Sequence, residues 1–158
     1  MWHGGLQRSV TLHATGPSYI ATASLVPGLE PDGTTGTVAV DVLVAGPIRR
    51  TPGWTLEAAV RTPTGRRLAS TGQLPVTAWD GGTPAAATIS AMYVEPGRVR
   101  TTLRVAGIRP WSHEDPHRYR ITVELRDPDG VTVEASARWT GFRSVEVRDR
   151  ALLINGQP

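Results

Sequence analysis

His113-Glu114-Asp115-Pro116-His117 reads H-E-x-x-H. On a helix that spacing puts two imidazoles one turn apart on a metal, with a carboxylate beside the bound water. Here the segment is denied a helix by its own residues. Pro116 pushes Asp115 away from the α region, Pro110 lies just upstream, and an alternating run begins at Tyr119. The expectation is a turn between strands, with Glu114 and Asp115 solvated or capping backbone, and no metal site. Other reaction signatures fare no better. No Gly-x-Ser-x-Gly elbow occurs. Gly4-Gly5 and Gly81-Gly82 are too short to cradle a phosphate and precede no helix. A retaining glycosidase needs two carboxylates about 5 Å apart, but the acids here fall on polar strand faces and in turns. No residue is assigned a catalytic or cofactor-binding role, and no cofactor is expected.

Tryptophan is the remaining chemical signal, since an aromatic face can stack on a sugar ring. Of Trp2, Trp54, Trp79, Trp111 and Trp139, Trp54 and Trp139 lie on the apolar phase of alternating runs and are expected in the core. Trp111 follows Pro110 in a turn and is expected to pack against a sheet edge. Trp79 sits in a long non-alternating stretch and is the candidate carbohydrate contact.

The elements that must position these residues are short strands. Thirteen prolines and seventeen glycines punctuate the 158 residues, and no segment keeps a 3.6-residue period. Val38, Val40, Val42 and Val44 share one face of a run over 36–45. Trp54, Leu56, Ala58 and Val60 do so over 54–62, opposite Glu57 and Arg61. Over 98–105, Val99, Leu103 and Val105 oppose Arg98, Arg100 and Arg104. Tyr119, Ile121, Val123 and Leu125 alternate with polar residues over 119–126, and Val131, Val133, Ala135, Ala137 and Trp139 over 131–139. Asp127-Pro128-Asp129-Gly130 joins these last two as a hairpin turn. Runs at 19–26 and 67–73 complete about seven strands, which predict an all-β fold, an immunoglobulin-like antiparallel sandwich without the cysteine pair of antibody domains. The stretch 74–96 fits no strand and is expected to be either a surface insertion or an arm toward a partner.

Composition narrows the partners. There is no cysteine, and all 17 basic residues are arginine, giving a formal charge of +3. Nucleic-acid surfaces normally share the work between Arg and Lys, so a coding bias explains the missing lysine better, and no nucleic acid is expected. No run of eighteen apolar residues suits a membrane span. The N-terminal Met1-Trp2-His3-Gly4-Gly5 lacks the basic and apolar regions of a signal peptide. No membrane partner is expected, and a cytoplasmic location is favoured.

Three stretches resemble glycoside hydrolase family 2, the beta-galactosidase and beta-glucuronidase family. PWSHEDPHRYRITVELRDPDG, from Pro110 to Gly130, resembles the P-x-W-S-x-E-x-P-x-L-Y-x-L-x-V-x-L pattern, with Arg118 in place of the Leu before Tyr. GFRSVEVRDRALLINGQP, from Gly141 to Pro158, is similar to the G-F-R-x-V-E segment that leads to L-L-x-N-G-x-P. WHGGLQRSVTLHAT, from Trp2 to Thr15, is similar to the strand closing a jelly roll. The resemblance implies that 1–14 is the last strand of a preceding jelly-roll domain, 15–140 the sandwich, and 141–158 a connector toward a catalytic (β/α)8 barrel. It also implies that the acid/base and nucleophile glutamates belong to that barrel, beyond Pro158, so no residue here inherits either role.

The implied function is non-catalytic: a spacer that positions the sugar-binding and catalytic domains of a retaining beta-galactosidase. Its partners would be the flanking domains of the same chain and, in the parent enzyme, a homo-oligomer. Phe142 is expected to anchor the exit from the sandwich, and Arg143 to make polar inter-domain contacts. The alternatives are a carbohydrate-binding module using Trp79 and a protein-interaction sandwich, the latter marked by an exposed regular edge strand or a large apolar patch.

Overall fold

The computed structural model describes residues 10, 12, 14–48, 52–78 and 97–157. The chain order is β1 (Tyr19–Leu29), β2 (Gly36–Ala45), β3 (Thr55–Arg61), β4 (Arg67–Ser70), β5 (Leu74–Pro75), β6 (Thr77–Ala78), β7 (Gly97–Val105), β8 (Tyr119–Arg126), β9 (Thr132–Thr140), β10 (Val145–Arg148) and β11 (Ala151–Ile154). Among the described residues there is no helix.

One sheet runs β1-β2-β7-β6 and the other β4-β3-β8-β9, with β5 also pairing β3. All named pairings are antiparallel. The first sheet has the A-B-E-D order of an immunoglobulin-like sandwich, and the second the C-F-G order with one strand added beside C. The seven expected strands are all present.

The stretch expected to be anomalous from residue 74 begins inside the fold. β5 pairs with β3 in one sheet and β6 with β7 in the other, so residues 74–78 carry the chain across the sandwich. Residues 79–96, with Trp79, lie outside the described residues.

Period-two alternation builds the core. Val38, Val40, Val42 and Val44 of β2 face Leu56, Ala58 and Val60 of β3 and Ile121, Val123 and Leu125 of β8 across the sandwich, and every one is essentially fully buried. Val99, Leu103 and Val105 of β7 extend the same layer. Tyr119 closes one end. Its hydroxyl accepts a hydrogen bond from the Arg109 amide at 2.7 Å, the geometry of the tyrosine corner found at this place in such sandwiches.

β9 overturns one expectation. Its register sets Ile121 opposite Arg138, Val123 opposite Ser136 and Leu125 opposite Glu134. The polar row therefore shares the core side with the apolar row of β8, while Val133, Ala135, Ala137 and Trp139 point outward and are exposed, Trp139 at 49%. The alternation is real but its phase is inverted. β9 is an edge strand, so its core-side residues sit at the rim of the sandwich, where a polar side chain still finds a partner. Glu134 does so by accepting the Ile20 amide of β1 at 2.6 Å. Trp54 is half-buried and packs on the rim of the core rather than within it. Glu57, expected on the outer face, is on that face but nearly buried, because Arg67 and Ser70 fold over its carboxylate.

Candidate functional site

The chain leaves the sandwich at Gly141, and four residues set its path. Phe142 turns back into the core and is completely buried. Its ring lies 5.3 Å from that of Tyr119 and rests on Gly36, where an added Cβ would come within 2.7 Å of the ring. Only glycine leaves that space. Gly141 serves likewise for Trp111, whose Cβ would be 2.5 Å from any methyl placed there. The Trp111 amide donates to the Phe142 carbonyl at 2.8 Å.

Beyond this point β10 and β11 form a hairpin. Its turn residues, Asp149 and Arg150, both have positive φ, 50° and 65°, the signature of a type I′ turn. The hairpin is tied back by Asn155. The Asn155 Oδ1 accepts from the Ser144 amide at 3.0 Å, its Nδ2 donates to the Trp111 carbonyl at 2.9 Å, and its own amide donates to the Ser144 carbonyl at 3.1 Å. Asn155 has φ 53°, a conformation asparagine tolerates better than most residues. One side chain thus joins the start of β10, the end of β11 and the loop before β8.

Beside this latch lies an open cleft of about 560 Å³, bounded by Pro27 of β1, Trp139 of β9, Trp111 and the exit segment. Arg143 stacks over the Trp111 ring, with its Cζ 4.6 Å from the centroid, and Arg118 lies over Trp139 at 5.8 Å. Stacking holds each guanidinium by cation–π attraction and leaves its edge donors free.

The sequence had singled out Phe142 and Arg143, and the structure brings them to one corner, Phe142 inside and Arg143 exposed on Trp111. It had missed Asn155, Gly36 and the pairing of Arg118 with Trp139. The Asn-Gly at 155–156 was the available signal, since it marks a turn, but not the distant loop that the side chain would reach.

The H-E-x-x-H segment is an irregular loop. The His117 ring meets Tyr119 edge-on at 4.9 Å. The Asp115 carboxylate accepts from Arg109 Nε, and the Asp115 carbonyl accepts from the Ser112 and His117 amides. Among the described residues no group of three His, Cys, Asp or Glu side chains is placed to share a metal ion.

A sequence model of Glycosyl hydrolases family 2 matches residues 18–143, from the first strand of the sandwich to Arg143. A Beta-galactosidase of Aeromonas hydrophila subsp. hydrophila is 48% identical over 61 residues, which is 39% of this chain and 6% of that protein. In structure, a glycosyl hydrolase family 2 member from Bacteroides cellulosilyticus matches 90% of this chain and 18% of its own, with a TM-score of 0.71 at 18% identity. A b-glucuronidase from Ruminococcus gnavus, in complex with D-glucuronic acid, matches 89% of this chain and 19% of its own, with a TM-score of 0.62 at 18% identity. The chain therefore spans under a fifth of the length of each of these relatives. Because the family match over residues 18–143 takes in the whole two-sheet sandwich and most of the chain, the chain belongs to Glycosyl hydrolases family 2.

Proposed function

We propose that this chain is a non-catalytic positioning module of a retaining beta-galactosidase, holding a sugar-binding domain and a catalytic domain in fixed relation. The observation that carries this reading is the fastening of the exit. A connector that merely left the domain would need neither a buried aromatic ring nor an asparagine bridging two of its segments to a loop. Phe142 and Asn155 instead set its direction by packing and by oriented hydrogen bonds. Such rigidity matters to an enzyme because a displacement of about 1 Å near the reacting atoms can cost about a hundredfold in rate. Arg143, held on Trp111, is the residue assigned to polar contact with the following domain.

The test is Phe142→Ala in the full-length enzyme. Emptying a fully buried phenylalanine site costs about 3–5 kcal/mol of sandwich stability. The thermal unfolding midpoint and kcat/KM for a beta-galactoside should both fall. Unchanged values of both would remove the positioning reading. The isolated chain, titrated with galactosides, should show no saturable binding, and saturation would turn the assignment toward a carbohydrate-binding module.

One observation favours a second reading, a protein-interaction sandwich. β9 is a nine-residue edge strand with an apolar outer row, Val133 to Trp139, which is the mark expected of such a surface. Co-sedimentation of the isolated chain with a separate polypeptide, undiminished when the catalytic domain is added in excess, would favour it.

A further inference from the structure

The cleft between Trp139 and Trp111 holds two guanidiniums without acids. Neither Arg118 nor Arg143 makes an ion pair among the described residues. Of the carboxylates within four residues of either arginine, Asp115 is engaged by Arg109 and Glu146 by Arg148, and the exposed Glu114 makes no ion pair with either arginine among the described residues. Each guanidinium is nonetheless ordered by the indole beneath it. Ordering a long cationic side chain before its partner arrives lowers the entropy cost of the later contact.

From this geometry we infer that the cleft is a docking site for a carboxylate-bearing protein segment, carried by the catalytic domain of the same polypeptide. The inference rests on the positioning role proposed above. Three features select this occupant. The chemistry is that of a fork of donors facing outward, which carboxylates satisfy with paired hydrogen bonds. The walls are tryptophan and arginine, the residues most enriched where protein interfaces concentrate their energy. The chain leaves the sandwich along one wall of the cleft, at Gly141 and Arg143, so a domain tethered there reaches the cleft at an effective concentration of about millimolar. A stacked sugar fits less well. Trp111 has Gly141 against it and Arg143 over its ring, so no second open aromatic plane stands opposite Trp139.

The experiment compares the double reversal R118E/R143E with the conservative double variant R118K/R143K, in the full-length enzyme and in the 158-residue chain. Reversal should raise the undocked population of the full-length enzyme roughly tenfold, read as faster proteolysis near residues 141–157. The lysine pair should restore part of the protection, and high salt should weaken docking in the wild type. The unfolding midpoint of the 158-residue chain should not move. Equal destabilisation of chain and enzyme would overturn the inference, because the arginines would then serve the sandwich itself. So would unaltered proteolysis, or saturable binding of glucuronate to the isolated chain that the reversal abolishes. The two proposals fail separately: an inert R118E/R143E beside a damaging Phe142→Ala removes only the cleft, and the converse removes the buried anchor while keeping the docking site.

Discussion

The outer face of the first sheet and the β9 edge of the second handle arginine in opposite ways. On the first sheet, Asp41 of β2 lies between Arg98 and Arg100 of β7, with contacts of 2.6 and 3.1 Å, and Glu30 takes Arg104 at 2.6 Å. That face satisfies itself. At the far edge of the second sheet, β9 turns Val133, Ala135, Ala137 and Trp139 outward, and the neighbouring Arg118 and Arg143 rest on indole rings without an acid. Isolated surface ion pairs add little stability, about 0–1 kcal/mol, so the contrast concerns recognition more than folding. A face that has neutralised its own charges offers a partner little. A face with stacked cations and exposed valines and tryptophan leaves both its charge and its apolar surface open, as the proposed docking requires. The sandwich is thus sided, and the side with the stacked cations is the one from which the chain departs.

The contrast breaks most severely if the departure corner is disturbed from beneath. Gly36→Ala drives a methyl into the buried Phe142 ring, which cannot rotate away in a packed core. The expected loss is about 1–3 kcal/mol, the usual range for overpacking, measured by chemical denaturation. A loss below about 0.5 kcal/mol would mean that Phe142 has room to retreat and does not fix the exit. Asn155→Ala comes next. It leaves the Ser144 amide and the Trp111 carbonyl without their partners, at a cost of about 1–2 kcal/mol for half-buried groups. Its loss should be local, so amide exchange at Ser144 should speed up while Val40 and Val123 in the core remain protected. Uniform acceleration would show instead that the hairpin belongs to the same cooperative unit as the sandwich.

The difference between the faces also explains what could be read from the sequence. The central strands were legible because β2, β3, β7 and β8 have neighbours on both sides and a core beneath them, so an apolar residue on one phase has one place to go. Tyr119, Ile121, Val123 and Leu125 needed only their spacing. β9 obeys the same period with the opposite sense. Its valines, alanines and tryptophan imitate a core row, and only the register with β8 reveals that Glu134, Ser136 and Arg138 are the inward set. Alternation specifies two faces but not which one is buried. At an edge, a Glu134 side chain that reaches the opposite sheet satisfies the inner position as well as an apolar one. The site was half legible for a related reason. Phe142 and Arg143 are adjacent and belong to the family pattern. The Arg118–Trp139 pair spans two strands, and Asn155 acts on a loop 44 residues away, so spacing along the chain carries no trace of either.

Two smaller predictions sharpen the comparison from each side. On the self-satisfied face, hydrogen bonding from Arg98 holds the Asp41 carboxyl below its ordinary value of 3.8, with Arg100 adding to the effect against the cost of desolvation. A carboxyl depressed by folding stabilises the native state in full above its unfolded pKa, and that contribution is lost as pH falls through the lower folded value. Asp41→Asn should therefore cost about 1 kcal/mol near neutrality, and the gap from wild type should close in acid below about pH 4. A gap independent of pH would mean that packing, not charge, accounts for the loss. On the contact face, Trp139→Ser should change the stability of the 158-residue chain by no more than about 0.5 kcal/mol, because a half-exposed indole on an edge strand gives up little burial. The same change in the full-length enzyme should speed proteolysis near residues 141–157 if Trp139 supports a docked domain. A large loss in the short chain would place Trp139 in the service of its own fold, and the two faces would then differ in charge pairing alone.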